Sequence, residues 1–176
     1  MIVLETERLL FRDHEPSDLD AYCAMEADPE VRRYVGGTPR AREEAERRFR
    51  KGLDRPEDRR LWMWATVYKP EGRYIGRCGV YPHFGPGGSV IGGEGSLAFY
   101  FARTYWGRGL ATEAGRAFVD FGFNELSLSR IVTTVQIGND ASVRVLEKMG
   151  FSLVSTEKGE FRSFYHFELH HPSRRS

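Results

Sequence analysis

Two glycines and an alanine stand close together in residues 106–111, where an alternating apolar pattern gives way to a helical one. Small residues let a ligand approach the backbone closely. The first N–H groups of a helix lack internal partners and lie at the positive end of its dipole, so a phosphate group binds well there. Arg108 adds a positive charge to this start. The segment therefore predicts a site for a phosphorylated ligand.

Two other interpretations of these glycines have to be weighed. A tight turn with close packing of helix on sheet also needs small residues, and one short motif does not decide between the two. A dinucleotide fold would place the glycines in an early βαβ unit, with an acidic residue about 20 positions later closing the next strand. Here Gly107 lies past residue 100 and the next strand ends in Gln136. The dinucleotide fold is therefore a poor fit.

The neighbouring segments must position this site. Residues 96–101 alternate between apolar and smaller or polar positions, which predicts a strand. The helix that follows carries one apolar stripe that would pack on a sheet. That stripe is formed by Leu110, Ala114, Ala117, Phe118 and Phe121.

The rest of the chain completes the order β-α-α-β-β-β-α-β-α-β-β. Further strands are predicted at residues 9–11, 61–68, 73–82 and 131–136, and as a final pair from Phe151 to about Leu169. Helices are predicted from Pro16, over about 40–52 and over 140–149. The glycine-rich residues 82–95 predict a flexible loop between two strands.

Length and composition describe one ordinary globular domain over residues 1–176, with a core at about 3–170 and a flexible tail at 171–176. With 26 Lys and Arg against 25 Asp and Glu, the net charge of +1 gives no field that would gather nucleic acid or a membrane. The N-terminus lacks a signal-peptide pattern, so a cytoplasmic protein is expected. Cys23 and Cys78 are predicted to be buried free thiols, and no metal site is expected.

Residues 105–114, Tyr-Trp-Gly-Arg-Gly-Leu-Ala-Thr-Glu-Ala, resemble the phosphate-binding signature of the GNAT superfamily of acyl-CoA N-acyltransferases. Their form is typical of the RimJ/RimL-like branch, which includes ribosomal-protein N-terminal acetyltransferases. Trp106 stands where the superfamily usually has Gln or Arg. Residues 4–12 resemble the opening strand of this branch, and residues 139–151 resemble its second cofactor motif. The resemblance therefore covers nearly the whole chain.

The resemblance implies an α+β (mixed α/β) fold, the GNAT acyl-CoA N-acyltransferase fold. Its central twisted, mostly antiparallel sheet would have about seven strands flanked by about four helices. It also implies that acetyl-CoA, as co-substrate, gives its acetyl group to a primary amine by direct attack. The acceptor would be a protein N-terminal amine or a small-molecule amine, and a homodimer is expected by analogy. The implied contacts to acetyl-CoA are Phe99, Tyr100, Phe101, Trp106, Gly107, Arg108, Gly109, Leu110, Ala111, Thr112, Asn139 and Ser142.

Asn139 and Ser142 lie at the start of the predicted helix over 140–149. Asn139 is among the best N-cap residues, and it can also contact the pantetheine arm implied by the resemblance. Many relatives use a tyrosine as the acid that protonates the departing thiolate. The matching position here is Leu146, so Ser142 is the predicted acid. A first-turn serine that merely bonds backbone is the alternative.

The general base is harder to assign. Many relatives have a glutamate where this chain has Ser96. Glu94 lies two residues earlier on the same strand face and is the predicted base, either directly or through water. His83 is a second candidate. The missing glutamate also motivates a different function, an acyl-CoA-binding regulatory module with little or no turnover. Trp62, Trp64 and Tyr165 are interpreted as core residues, with walls of an acceptor pocket as the alternative.

Overall fold

The computed structural model describes residues 1–53 and 60–174, and these residues form one sheet with helices on both faces. Each strand forms from an apolar or alternating stretch of the sequence, and each of the two longest helices forms from an amphipathic stretch. The strands are β1 (Ile2–Glu5), β2 (Leu9–Arg12), β3 (Trp64–Tyr68), β4 (Arg73–Phe84), β5 (Val90–Phe101), β6 (Arg130–Gln136), β7 (Ser152–Lys158) and β8 (Ser163–His170). The helices are α1 (Leu19–Ala27), α2 (Pro29–Arg32), α3 (Arg42–Leu53), α4 (Leu110–Asn124) and α5 (Asp140–Lys148).

The strand order in the sheet is β1-β2-β3-β4-β5-β6-β8-β7. Neighbouring strands are antiparallel except β5 and β6, which run parallel. Within the described residues, β5 pairs with β6 only from Glu94 to Ser96. Beyond Ser96 the strand stays paired with β4 while β6 continues alongside β8. The sheet therefore opens between β5 and β6, and one edge of residues 97–101 is left without a partner strand.

The two faces of the sheet are covered by different helices. On one face α4 buries Leu110, Ala114 and Phe118 completely against the sheet. Leu97 points to this side, because a Cβ added at Gly115 of α4 would lie 3.9 Å from its side chain. On the other face α1 and α3 form a second cluster around Tyr22, Cys23, Ala45 and Phe49. Since side chains alternate along β5, Glu94, Ser96 and Tyr100 point away from α4.

The predicted fold class is confirmed, but several details of it were wrong. The described residues contain eight strands rather than about seven, because residues 2–5 add β1 to the edge of β2. Residues 61–63 precede β3 instead of belonging to it, and a short helix, α2, follows α1. The predicted tail contains one 3-10 turn, Pro172–Arg174, and residues 175–176 lie outside the described residues.

The predicted loop over residues 82–95 is the largest correction. β4 extends to Phe84 and β5 begins at Val90, so most of the segment is a hairpin in which Phe84 pairs with Val90. A Cβ at Gly95 would lie 2.3 Å from a Val80 methyl carbon. Glycine is needed at Gly95 because the neighbouring side chains fill the space, which is a packing requirement and not a sign of a loop.

Candidate active site

The start of α4 has the backbone shape that close approach of a ligand needs. Gly107 and Gly109 adopt φ angles of 72° and 78°, a region that favours glycine. A Cβ at Gly107 would meet no atom within 4 Å, and one at Gly109 would meet only the Arg8 guanidinium, at 3.6 Å. The Gly109 carbonyl accepts the first helical hydrogen bond, from Glu113 N–H. The earlier N–H groups of this helix are thus available to an anion.

Two arginines surround this helix start. Arg8 binds the Glu113 carboxylate through Nε, at 2.7 Å, and donates Nη1–H to the Arg108 carbonyl, at 3.0 Å. Burial raises the pKa of Glu113, but hydrogen bonds from Thr6 and Arg8 outweigh it and lower the pKa overall. The Glu113 carboxylate is therefore ionised, and the positive charge of Arg8 balances it. Such pairing removes a repulsion that a bound phosphate would otherwise meet.

The Arg108 side chain lies against aromatic rings beside the same helix start. Its guanidinium carbon is 4.7 Å from the Tyr68 ring centroid and 5.2 Å from the Tyr105 centroid. Its Nη2 donates to the Tyr68 hydroxyl at 3.0 Å. Trp106, at the position where the family usually has Gln or Arg, donates its indole N–H to the Phe101 carbonyl at 2.7 Å. The indole thereby ties the helix start to the end of β5.

Asn139 is the N-cap of α5, as predicted, because its Oδ1 accepts a hydrogen bond from Ser142 N–H at 3.2 Å. Ser142 is half-buried in the first turn. Leu146, at the position of the usual tyrosine, is completely buried in the core and supplies no proton donor. The acid role of Ser142 stays a prediction.

Glu94 is held by two partners at the point where β5 and β6 pair. Its Oε2 lies 2.7 Å from His83 Nδ1 and accepts from Arg130 Nη2 at 2.8 Å. Arg130 also binds Glu168 at 3.0 Å. Burial raises the pKa of Glu94, but the hydrogen bonds from Arg130 and His83 outweigh it, so the pKa lies below its ordinary value. The two predicted candidates for the base are thus brought together as one pair.

Tyr81 is a polar residue at this site that the sequence analysis missed. It is opposite Ser96 in the register of β4 and β5, and Ser96 is buried. Burial raises the pKa of Tyr81, so the phenol is neutral. Because side chains alternate along a strand, Tyr81 and His83 lie on the same face of β4. Ser96 and Glu94 lie beside them on the same face of the neighbouring strand, β5. The hairpin pairing, had it been predicted, would have revealed this group.

The aromatic residues considered as pocket walls have different positions. Trp64 is buried in the core at 1% exposure, and Tyr165 packs on the same core cluster. Trp62 lies outside the strand and borders a cavity on the α1 and α3 side of the sheet. Cys23 and Cys78 are buried free thiols, as predicted.

Residues 1–53 and 60–174 contain no helix with both the length and the apolar character that crossing a membrane requires. In the same part of the chain, no three histidine, cysteine, aspartate or glutamate side chains gather in a way that would hold a metal ion.

Comparison with known proteins gives a consistent family match. Residues 8–152 match the model of the acetyltransferase (GNAT) domain. The uncharacterized protein YkkB of Bacillus subtilis is 31% identical, with 87% of each chain covered. The uncharacterized N-acetyltransferase p20 of Bacillus licheniformis is 30% identical over 86% of this chain and 83% of its own. A GNAT-family acetyltransferase structure from Bacillus anthracis superposes with a TM-score of 0.81 over 97% of this chain and 98% of that one, at 24% identity, and so shows the same fold.

Proposed function

The chain belongs to the GNAT acetyltransferase domain family, and from that premise we propose that it transfers the acetyl group of acetyl-CoA to a primary amine. The observation that carries this proposal is the start of α4. There the two glycines with positive φ leave the helix N–H groups open to an anion, and Arg108 adds a positive charge. The unpaired edge of β5 adjoins this start, because the Trp106 indole joins the two.

The residues fit the two halves of CoA. Residues 106–112 would bind the pyrophosphate with backbone N–H groups and the Arg108 charge. The free edge of β5 at Phe99, Tyr100 and Phe101 would bind the pantetheine arm as an added strand-like partner. The Asn139 side-chain N–H groups remain to donate to that arm, because the cap uses its oxygen.

Acetyl transfer forms a nitrogen–carbon bond, breaks the carbon–sulfur bond of the thioester, takes one proton from the amine and gives one to the thiolate. Backbone N–H groups of β5 would stabilise the negative charge on the carbonyl oxygen. Ser142 would supply the proton for the thiolate. No covalent intermediate on the protein is required.

The geometry supports a shared role for Glu94 and His83 in removing the amine proton. A carboxylate with a lowered pKa is a weak proton acceptor. Glu94 can instead accept the Nδ1–H of His83, which leaves Nε2 unprotonated and able to act as the base. We therefore assign His83 as the base, with Glu94 as the residue that fixes its tautomer and orientation.

Three finer parts of the proposal rest on resemblance. These are membership of the RimJ/RimL-like branch, a protein N-terminal amine as one acceptor class, and a homodimer. The rival function, an acyl-CoA-binding module without turnover, is not favoured, because the family match is to acetyltransferases.

A coupled thiol-release assay with acetyl-CoA and a panel of amines and N-terminal peptides tests the proposal. We expect release of CoA that depends on the acceptor and forms one acetylated amine for each CoA. Calorimetry with acetyl-CoA serves as the second measurement. Tight binding with no acceptor-dependent release across the panel would support the binding module instead.

A further inference from the structure

Residues 28–37, which include α2, cross the gap between β5 and β6, and we call this segment the strap. At one end Asp28, the N-cap of α2, forms an ion pair with Arg103, with 3.6 Å between Oδ2 and Nε. Toward the other end Tyr34 lies beside Gly138, because a Cβ added at Gly138 would lie 3.8 Å from the Tyr34 ring. Arg103 and Gly138 each lie two residues past the end of their strand, β5 and β6 respectively. The strap therefore spans the gap where these two strands have diverged.

A buried carboxylate fixes the strap to the sheet. The Glu26 side chain is only 2% exposed and contacts three guanidinium groups. They belong to Arg32 within the strap, to Arg40 just after it and to Arg77 on β4. The Arg32 carbonyl accepts hydrogen bonds from two N–H groups later in the strap, each at 2.9 Å. The part of the strap next to α2 is therefore held from both its backbone and its side chains.

The same contacts place the strap on the face of β5 opposite α4. Arg77 is opposite Tyr100 in the register of β4 and β5, and its guanidinium carbon lies 5.0 Å from the Tyr100 ring centroid. Tyr100 belongs to the strand edge assigned above to the pantetheine arm, and its side chain points away from α4. Glu94 and His83 lie on this face too. The strap thus covers the gap from the side on which the amine proton would be removed.

The free end of the strap is held by one exposed side chain. Arg162, in the turn between β7 and β8, donates Nη2–H to the Gly36 carbonyl at 2.6 Å. Gly36 and Gly37 have φ angles of 89° and 81°, a region that favours glycine. A Cβ added at Gly37 would overlap the Arg162 guanidinium. The close approach of this arginine to the strap therefore depends on glycine at that position.

Water competes with the amine in the proposed reaction. Hydrolysis of acetyl-CoA forms a carbon–oxygen bond from water and breaks the carbon–sulfur bond. The two protons of the water pass to the thiolate and to solvent, leaving acetate and CoA. Active sites suppress such side reactions by excluding water. The strap lies where it can do so, because the edge of β5 assigned to the pantetheine arm borders the gap that the strap crosses.

We propose that the strap shields the thioester of bound acetyl-CoA from water, and that Arg162 is the positioning residue that keeps the strap in place. The inference rests on the acetyltransferase function proposed above. It adds control over the competing hydrolysis at the same site, which makes the yield of acetylated amine for each CoA a property of the strap.

Arg162→Met removes the donor and keeps most of the bulk of the side chain. With saturating acetyl-CoA and no acceptor, release of CoA above the protein-free rate should rise roughly 5-fold or more, because loss of one hydrogen bond shifts an opening equilibrium by that factor. With an acceptor present, fewer acetylated amines should form for each CoA. Arg116→Met is the matched control and should behave like the parent. Arg116 is also exposed and donates Nη2–H to a main-chain carbonyl, that of Lys148 at the far end of α5, at 2.8 Å.

Gly37→Ala tests the same contact from the strap side. The added methyl group should displace the Arg162 guanidinium and raise hydrolysis as Arg162→Met does. Gly88→Ala is its control, because Gly88 has the same φ of 81° and a Cβ there would meet no atom within 4 Å. It carries the backbone penalty alone, so its hydrolysis rate should stay near that of the parent.

Trypsin gives a readout that does not depend on turnover. The Arg33 side chain lies in the strap and is 61% exposed. Cleavage after Arg33, followed by mass spectrometry, reports the fraction of molecules in which the strap is open. This cleavage should be faster in Arg162→Met and Gly37→Ala than in the parent, and unchanged in the two controls.

The outcomes distinguish this inference from the proposed function. Parent-like hydrolysis in both Arg162→Met and Gly37→Ala, or an equal rise in their controls, would overturn the inference and leave the acetyltransferase standing. Faster trypsin cleavage with unchanged hydrolysis would also overturn it, since the strap would then open without admitting water. Failure of the parent to acetylate any amine would contradict the proposed function instead. The inference is then decided with acetyl-CoA alone, because absence of binding, or equal hydrolysis in the parent and Arg162→Met, would overturn it.

Discussion

Single side chains on the face of β4 and β5 opposite α4 determine the chemistry of the proposed site. Ser96 cannot accept a proton at neutral pH, and the nearby carboxylate, Glu94, is already engaged by Arg130 and His83. A carboxylate in that position is better suited to orienting an imidazole than to taking a proton itself. The base is therefore expected to be the histidine, with its tautomer fixed by its partner.

Replacing His83 tests this assignment. His83→Gln should lower kcat near pH 7 by roughly 100-fold, the lower end of the contribution of a general base, while acetyl-CoA affinity stays unchanged. Rising pH should restore part of the rate, because more of the acceptor amine is then free. Glu94→Gln should lower kcat less, since it disturbs the tautomer and the orientation of the imidazole but leaves the imidazole itself in place.

Kinetics over a pH series and calorimetry measure both effects. Glu168→Gln is the control, because Glu168 shares Arg130 with Glu94 and does not contact His83. A parent-like rate in His83→Gln together with a large loss of rate in Glu94→Gln would show that the Glu94 carboxylate is the base.

The start of α5 allows the roles of two neighbouring residues to be separated. Ser142→Ala should lower kcat more than it weakens cofactor binding, because the role proposed for its hydroxyl is to protonate the leaving thiolate. Asn139→Ala should weaken binding and also remove a helix cap worth about 1 kcal/mol. Turnover kinetics, calorimetry and urea unfolding give the three quantities. Proportional losses in kcat and affinity in both variants would contradict this division.

The sequence predicted local features of these residues better than their long-range partners. The cap at Asn139 depends on three consecutive positions after it, and it was predicted correctly. The contact between His83 and Glu94 depends on the register of two long strands, and so does the cross-strand pairing of Tyr81 with Ser96. The position of Arg77 beside Tyr100 also needs that register. Such pairings are decided by tertiary packing, which one sequence does not contain.

Among the elements, α4 and β5 together form the proposed binding surface for acetyl-CoA. The helix presents open N–H groups, and the strand presents an edge that β6 leaves free beyond Ser96. The motif, the strand before it and the helix after it were all predicted, because each has a strong local pattern. The hairpin over residues 82–95 was not predicted, because glycines that make room for side chains look the same in a sequence as glycines of a loop.

Gly109 links backbone conformation to ligand binding at the start of α4. Gly109→Ala introduces a side chain where φ is 78°, and it should cost about 1 kcal/mol of stability. Gly109→Glu adds bulk and negative charge to the anion site, so acetyl-CoA affinity should fall much further than in Gly109→Ala while the fold persists. Calorimetry measures the affinities, and circular dichroism checks the fold.

Gly72→Ala provides a matched control for this test. Gly72 has a φ of 60° in the turn between β3 and β4, and a Cβ there would meet no atom within 4 Å. Its backbone penalty should resemble that of Gly109→Ala, with no change in acetyl-CoA affinity. Unchanged affinity in Gly109→Glu would place the phosphate site elsewhere.

Across the whole molecule, an almost neutral chain holds an uneven internal distribution of charge. The net charge is +1, yet buried Glu26 and half-buried Glu44 contact four arginines between α1, α3 and the sheet. Composition excluded a strong overall field, but it gave no indication of this arginine cluster, because side chains from separate segments create it. His14 lies in the same region, where burial and then the Arg77 charge lower its pKa and keep it neutral. The stability of the fold should therefore depend on pH through His14.

The last prediction is that His14 makes the folded protein less stable as the pH falls below 6.5. Its pKa drops from 6.5 to about 4 on folding, because burial and then the Arg77 charge disfavour the imidazolium. Between these pH values the unfolded chain binds a proton that the folded protein excludes. The contribution of neutral His14 to the stability is therefore fully present above pH 6.5 and is lost as the pH falls toward 4. The shift in the His14 pKa on folding corresponds to a loss of up to about 3 kcal/mol in the free energy of unfolding. Urea unfolding of His14→Gln should show a shallower decline over this range than the parent. Parallel declines in the parent and His14→Gln would show that other groups carry the acid sensitivity.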